Sequence, residues 1–404
     1  MCSCWVQMPI AWIPPTRSCK WATAFRPRSS LGRFLFHTSM ASTPKIYVAV
    51  VGVGLVGSEF ISQLQAIRSS PFHLVSLTSS TRTIFNPTHS ISASWKSDLA
   101  SSVEKPDLPK LTQQLSALVS TTQKVALIDN TSSEAIAALY PTWLNAGISI
   151  ITPNKKAFSG DIALYGEIVA ASTKIGGGRF LNEATVGAGL PVIGTLKDLV
   201  ATGDKVVKVE GVFSGTMSYI FNEFSTGKPD GPAFSSVVKI AREKGYTEPH
   251  PADDLNGFDV ARKLTILSRI ISHSPTNLPK LKSFASVDTT SLIPPALENI
   301  PTGDEFIARL PEFDEHFAKM RADASAEGQV LRFVGVVDVV NGKVRAGLEK
   351  YPTTHPFATS LGGSDNIIMF HTERYGARPL IVQGAGAGAA VTAMGVLGDL
   401  LKLV

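Results

Sequence analysis

Cysteine is absent from this 404-residue chain after position 19: Cys2, Cys4 and Cys19 are its only three. A disulfide framework, a thiolate nucleophile and a cysteine-ligated metal are thereby excluded from the body of the protein. Acid is missing at the start. The first carboxylate is Glu59, whereas residues 1–39 carry Arg17, Lys20, Arg26, Arg28 and Arg33. Removing those five from 38 basic residues leaves 33 against 33 acidic ones, so the net charge of +5 belongs to the leader. A neutral body gives no reason to expect a nucleic-acid partner. No apolar run approaches the roughly 20 residues of a membrane span, so a soluble protein without a membrane partner is expected. A composition of 44% hydrophobic residues, with charges of both signs, excludes a largely disordered chain.

Residues 1–39 have two readings. An Arg-rich, acid-free leader has the composition of a mitochondrial transit peptide. Alternatively, translation starts at Met40, because Met40-Ala-Ser-Thr-Pro runs directly into the first strand. The second reading is preferred and implies a cytoplasmic protein, with a mitochondrial one as the alternative.

Lys45-Ile-Tyr-Val-Ala-Val-Val51 reads as a buried parallel strand. It feeds Gly52-Val53-Gly54-Leu55-Val56-Gly57 and then a stretch with helical spacing. The first glycine permits a tight turn, the second lets backbone approach a pyrophosphate, and the third lets helix and strand pack closely. The helix start offers free N–H groups and a positive dipole end to the phosphates. Strand before and helix after make this a strong dinucleotide signal. The acid that usually binds the ribose 2′-hydroxyl is missing, however. The second strand, residues 72–77, ends in Thr78-Ser-Ser-Thr-Arg82, with no carboxylate between Glu59 and Asp98. Hydroxyls and Arg82 tolerate a 2′-phosphate, which favours NADP, with NAD use also open. An ordinary solvated arginine is the competing reading of Arg82.

Alternation continues through a strand at 124–129, closed by Asn130-Thr131-Ser132-Ser133, and another at 147–152, ending in Pro153-Asn-Lys155-Lys-Ala157. Ser133 or Thr131 is placed to cap a helix beginning near Glu134. Ligands in open parallel sheets bind beyond the strands' carboxyl ends, where the glycine turn, Thr131, Ser132 and Lys155 all fall.

Past Leu181 the rhythm changes. Asn182-Glu-Ala-Thr-Val-Gly-Ala-Gly-Leu-Pro191 is a glycine-rich loop before an apolar helix over 192–200. A strand over 206–213 and a helix over 234–244 follow. The densest chemistry is Gly245-Tyr-Thr-Glu248-Pro-His-Pro-Ala-Asp253-Asp254-Leu-Asn-Gly-Phe-Asp259-Val-Ala-Arg-Lys263. Asp259 and Lys263 stand four apart and share a helix face, with Val260, Leu264 and Leu267 as the buried stripe. An exposed ion pair worth about 0.3–0.5 kcal/mol is the plain reading. A carboxylate cluster for a substrate ammonium, with a lysine proton donor among it, is the functional one. A divalent metal stays open as a third. Residues 330–350 read as a hairpin turning at Asn341-Gly342, with strands over 366–370 and 380–382 and a glycine-rich helix start after Gln383.

The fold expected is α/β: a Rossmann nucleotide-binding domain over 40–190, completed by 381–404, with a second α+β catalytic and dimerisation region. The latter divides into a substrate segment, 191–330, and dimerisation strands, 331–380.

Taken together, the glycine turn, Asp129-Asn-Thr-Ser-Ser, Thr152-Pro-Asn-Lys-Lys-Ala-Phe, the Asn182–Pro191 loop and the Gly245–Lys263 segment resemble homoserine dehydrogenase, in the short monofunctional form found in fungi. The resemblance covers essentially all of Met40–Val404. It implies NAD(P)H-dependent reduction of aspartate 4-semialdehyde to homoserine, on the route to threonine and methionine. It also implies Lys263 as proton donor, Lys155 beside the nicotinamide, and Glu248 and Asp259 on the substrate's amino end, supported by Asp254. Thr131, Ser132, Gly245 and Gly384 would line the cofactor. A monovalent cation, sodium by family habit, would sit on Glu183 and the carbonyls of Val186, Ala188 and Leu190, and a homodimer is implied. No kinase segment or appended regulatory domain is seen, so feedback by threonine through such a domain is not expected. A semialdehyde dehydrogenase of the thiolate type is excluded by the missing cysteine. A catalytically silent NADP-binding regulator on the same fold is the alternative, and a Lys263→Met variant separates the two, because a silent protein loses nothing.

Overall fold

The computed structural model describes residues 45–68 and 70–404. The leader and the choice of Met40 as start lie outside the described residues. Six strands form the first sheet: β1 (Lys45–Val51), β2 (Phe72–Thr78), β3 (Thr83–Phe85), β4 (Gln123–Asp129), β5 (Ile148–Ile151) and β6 (Phe180–Leu181). Their order is β3-β2-β1-β4-β5-β6, all parallel except β3, which runs antiparallel to β2. Such a sheet needs cover on both faces, and β1 shows why its sequence is apolar on both of them after Lys45. Ile46, Val48 and Val50 pack on one side with Phe60, Ile61, Val396 and Leu400, whereas Tyr47, Ala49 and Val51 join the core that holds Trp143 and Leu196. The C-terminal helix Ala389–Leu401 thus packs back on the glycine-turn helix Leu55–Ala66.

Strands β7 (Val206–Val212), β8 (Asp288–Thr289), β9 (Gln329–Asp338), β10 (Lys343–Pro352), β11 (Asp365–Thr372) and β12 (Leu380–Ala385) make the second sheet, ordered β12-β11-β7-β9-β10-β8. It is antiparallel apart from the β8–β10 pair. The fold is therefore α/β, with a nucleotide-binding sheet and a second, mixed region. The β9–β10 hairpin pairs Asp338 with Lys343, so its turn spans four residues, 339–342, with Gly342 at φ +64°. Strand β12 hydrogen-bonds to β11. The boundary drawn at residue 381 therefore falls inside the second sheet, and only the final helix returns to the first. No helix among the described residues is long and apolar enough to cross a membrane.

The helix Phe258–Ile271 is the bridge between the halves. Val260, Leu264 and Leu267 are buried on it, and Gly335 of β9 leaves room for Leu264 and Val260, whose atoms a Cβ there would meet at 2.8 and 3.0 Å. Its N-terminal turn is presented at the carboxyl end of β7, and its buried Arg269 donates to the carbonyls of Phe158 and Gly160 in the nucleotide half.

Candidate active site

The glycine turn is shaped for phosphate. Gly52 has φ +88°, and a Cβ on Gly57 would lie 2.0 Å from the Gly52 carbonyl oxygen, so neither position accepts a side chain. Gly54 faces open space, and as helix N-cap it supplies no side-chain acceptor, which leaves the N–H groups of Leu55, Val56 and Gly57 without a partner among the described residues. Asn130 follows β4 and donates its backbone N–H to Val51. Both polar atoms of its side chain are buried without a partner among the described residues, and its Nδ2 lies 3.6 Å from the Cβ position of Gly57. Free amides, an open glycine and an unsatisfied amide side chain fit a dinucleotide. Thr131 is brought against this turn, its Cγ2 2.8 Å from where a Gly52 Cβ would sit.

Beneath it lies a buried node that the sequence reading missed. Asp129 accepts from Thr131 N (2.8 Å), Tyr140 Oη (2.5 Å) and Asn154 Nδ2 (3.0 Å). Asn154 also donates to Ser133 O at 2.9 Å, so it clamps the Asn130–Ser133 loop to the loop that carries Lys155. Burial raises the Asp129 pKa, opposed by these hydrogen bonds. Ser133 caps its helix as expected, accepting from Ile136 N.

Lys155 and Lys263 meet on one carboxylate. Asp259 Oδ2 lies 2.6 Å from Lys263 Nζ, and its Oδ1 lies 3.4 Å from Lys155 Nζ. The Asp259–Lys263 pair is thus not an exposed helix-surface bridge, because the lysine side chain is only 9% exposed. Lys263 also donates to Phe213 O, at 2.7 Å, and Asn366 Nδ2 donates to the same carbonyl at 2.9 Å. Burial lowers the lysine's pKa, Asp259 pulls it back up, and Lys155 lowers it again. For Asp259 burial raises the pKa, but the two lysines outweigh it and hold the carboxyl far below its usual range.

Asp254 stands beside this group in a different state. It accepts from Glu248 N at 2.8 Å, which holds the loop bearing the exposed Glu248 carboxylate. Burial pushes its pKa up to about 6, with Glu248 and Asp259 adding to the rise and the hydrogen bonds opposing it. The Thr216 hydroxyl lies 2.8 Å from Asp254 Oδ1 and 2.5 Å from Tyr246 O. A hydroxyl has one proton to give. It is therefore shared between Asp254 and the Tyr246 carbonyl.

Thr216 belongs to the helix Gly215–Phe224, whose Gly215 and Thr216 amides make no hydrogen bond among the described residues. That anion-ready helix end was not singled out from the sequence. The Ser214-Gly-Thr order, a capping serine before a helix, is the signal that could have found it.

Other expected residues sit further out. Arg82 is exposed on the β2–β3 turn, which Ser79 closes through Arg82 N and O. Gly245 has φ +72° with open space on its α-carbon, and Gly384 lies against Leu190. In the Asn182–Pro191 loop, Val186 and Ala188 are buried, yet their carbonyls accept no hydrogen bond from a described residue. Ala188 is held at φ +54°. The Leu190 carbonyl accepts from Val192 N. The Glu183 carboxylate is committed elsewhere: it accepts from Ile193 N (2.6 Å) and Gly194 N (2.8 Å), capping the helix Ile193–Ala201, and Lys402 Nζ lies 3.5 Å away.

Both halves of the chain match known proteins. Residues 191–401 match the family described as homoserine dehydrogenase, and residues 52–181 match the homoserine dehydrogenase NAD-binding domain. The chain is 48% identical to a homoserine dehydrogenase of Saccharomyces cerevisiae, over 90% of this chain and 99% of that one. A bifunctional aspartokinase/homoserine dehydrogenase of Zea mays is 42% identical, over 92% of this chain but 39% of its own. Among solved structures, a Candida auris protein of unknown function superposes with a TM-score of 0.82 at 47% identity, covering 89% of this chain and 98% of that one. A hyperthermophilic archaeal homoserine dehydrogenase in complex with NADPH shares the fold, with a TM-score of 0.64 at 21% identity over 89% and 97% of the two chains.

Proposed function

We propose a division of labour among these residues from one premise: the chain belongs to the homoserine dehydrogenase family. Its activity is that of an NAD(P)-dependent oxidoreductase interconverting aspartate 4-semialdehyde and homoserine in amino-acid biosynthesis. Nothing favours a silent regulator.

Lys263 is the proton donor. The observation that carries this role is its bonding: two of its three N–H groups are held by Asp259 and Phe213 O, which leaves one for the substrate. When bound, NADPH or NADH supplies the hydride that reduces the aldehyde carbon. The carbonyl oxygen then gathers negative charge, which Lys263 and Lys155 stabilise from either side of Asp259, and Lys263 delivers the proton. Burial that lowers the lysine's pKa makes it a better acid near neutral pH. Glu248 and Asp259 hold the substrate ammonium, with Asp254 fixing the Glu248 loop. The free amides of Gly215 and Thr216 receive the substrate carboxylate.

The cofactor preference we assign is NADP, through Arg82, and the amides of Leu55–Gly57 hold the pyrophosphate. For the monovalent cation, the orphaned carbonyls of Val186 and Ala188, with Leu190, are the donors that fit a hard ion such as sodium. Glu183 contributes through its backbone, since its carboxylate caps a helix. A homodimer is the assembly we infer. Strand β12 is the outer strand of the second sheet and leaves Ile381 exposed, an edge that favours cover. Light scattering on the purified chain reads the dimer directly, and a monomer at micromolar concentration removes it.

The test of the reaction is NADPH consumption with aspartate semialdehyde, with homoserine identified as product. Turnover supports the assignment. Cofactor binding without product overturns it.

A further inference from the structure

The carbonyl of Phe213, at the end of β7, accepts from two side chains, Lys263 Nζ at 2.7 Å and Asn366 Nδ2 at 2.9 Å. A carbonyl oxygen has two lone pairs, so these donors fill both. Sharing one oxygen, the two nitrogens stand within about 6 Å of each other. Asn366 belongs to β11, opposite Gly384 of β12, and is wholly buried. Its amide is locked in place. A Cβ on Gly386 would lie 2.0 Å from Nδ2, so the side chain fills the notch that this glycine leaves. Reversing the amide would set Oδ1 against the Phe213 oxygen, acceptor against acceptor, which fixes Nδ2 as the donor.

Stability does not account for this side chain. Phe213 O is already satisfied by Lys263, and Asn366 Oδ1 is buried without a partner among the described residues. An unpaired buried amide oxygen costs stability, and leucine, of nearly the same shape, would avoid that cost. What asparagine adds here is a second donor on the carbonyl that holds the ammonium.

We infer that Asn366 is a positioning residue for the proton donor: by filling one lobe of the Phe213 carbonyl it confines Lys263 to the other and loosens the carbonyl's hold on the ammonium. Two effects act in the same direction. The lone-pair density of one oxygen is divided between two donors, so each bond is weaker than it would be alone. The positive end of the amide also faces a cation across that oxygen. Both disfavour the charged lysine and make it a readier acid. The other charges around Lys263 come from separate elements: Asp259 on its own helix, Lys155 after β5, and Asp254 on the short helix Ala252–Leu255. A change at Asn366 leaves all three in place. The role rests on the reading of Lys263 as donor.

In full-length protein carrying carbon-13 lysine, the Cε resonance that disappears in Lys263→Met reports the titration of that lysine directly. Asn366→Leu fills the same space without a donor and is expected to raise the midpoint by about half to one pH unit, the worth of one neutral hydrogen bond. Asn366→Asp places a negative charge within about 6 Å and is expected to raise it further, by about one unit or more. NADPH affinity and the unfolding midpoint show that each variant is folded, and either variant alone carries the test. The alkaline limb of NADPH oxidation should follow the same order. Cε midpoints that rise while that limb stays put would uphold the hold of Asn366 on Lys263 and overturn the donor reading instead. A midpoint unmoved or lowered in either folded variant would overturn the inference, because a merely structural asparagine moves neither.

Discussion

Replacing Asp259 with Asn tests the electrostatics of the site most sharply. The carboxylate lies 2.6 Å from Lys263 Nζ and 3.4 Å from Lys155 Nζ, so it raises the lysine's pKa against burial and against its cationic neighbour. At an effective dielectric of about 20, Coulomb's law gives about 6 kcal/mol for unit charges at the shorter distance. The Asp259 side chain is 43% exposed, so solvent screens a large part of that. A retained effect of about 1.5–3 kcal/mol corresponds to one to two pH units. Asparagine keeps an oxygen acceptor and removes only the charge. The pKa of Lys263 must then fall, because burial and Lys155 act unopposed. In a pH–rate profile of NADPH oxidation, the alkaline limb set by loss of the donor proton should move down by about one to two units. Substrate KM should rise as well, since Asp259 also faces the ammonium. An alkaline limb that stays in place, or moves up, would refute the reasoning.

Three further outcomes follow from the same geometry. Asp254 has its pKa raised from 3.8 to about 6, so the folded state holds this proton more tightly than the unfolded chain. Its contribution to stability is full below about pH 4 and is lost as pH rises through about 6, by up to about 3 kcal/mol. In Asp254→Asn that slope should vanish from denaturant midpoints measured between pH 4 and 7, and an unchanged slope would assign it to another group. Gly57→Ala puts a methyl 2.0 Å from the Gly52 carbonyl, so NADPH fluorescence should report no binding and unfolding should come about 1–3 kcal/mol earlier; near-native affinity would show that the turn can open. Arg82→Ala should lower the NADPH-to-NADH ratio of kcat/KM about tenfold, the worth of one charged contact. An unaltered ratio makes Arg82 an ordinary solvated residue.

Legibility from sequence followed local pattern. Strand β1 and the turn after it were readable because five β-branched or aromatic residues precede three glycines at fixed spacing, each glycine with a separate steric duty. The Asp259–Lys263 pairing was readable because four-residue spacing on a helix fixes a shared face. What spacing cannot supply is contact between distant segments. Phe213 O joins Lys263 and Asn366 across 50 and 153 residues, and no local pattern marks a backbone carbonyl as an acceptor. The Asp129–Tyr140–Asn154 node is invisible for the same reason: each residue alone reads as a strand end or a loop. Glu183 shows the converse. It lies in the glycine-rich loop and the family resemblance implies it as a cation ligand, but the fold turns its carboxylate onto a helix start ten residues on. Strand β12 was seen over 380–382, but the boundary drawn at 381 cut through it, because sequence order does not tell where a late strand ends and the returning helix begins.

The account rests on Lys263 giving up its proton to the reduced carbonyl, and one measurement reaches it directly. Lys263→Met keeps the aliphatic stem and removes the ammonium, so NADPH affinity by fluorescence titration should stay within about twofold while kcat for aspartate semialdehyde reduction falls by 10²-fold or more, on the order of a lost general acid. Full turnover in that variant would contradict the account, since the donor would then have to lie elsewhere.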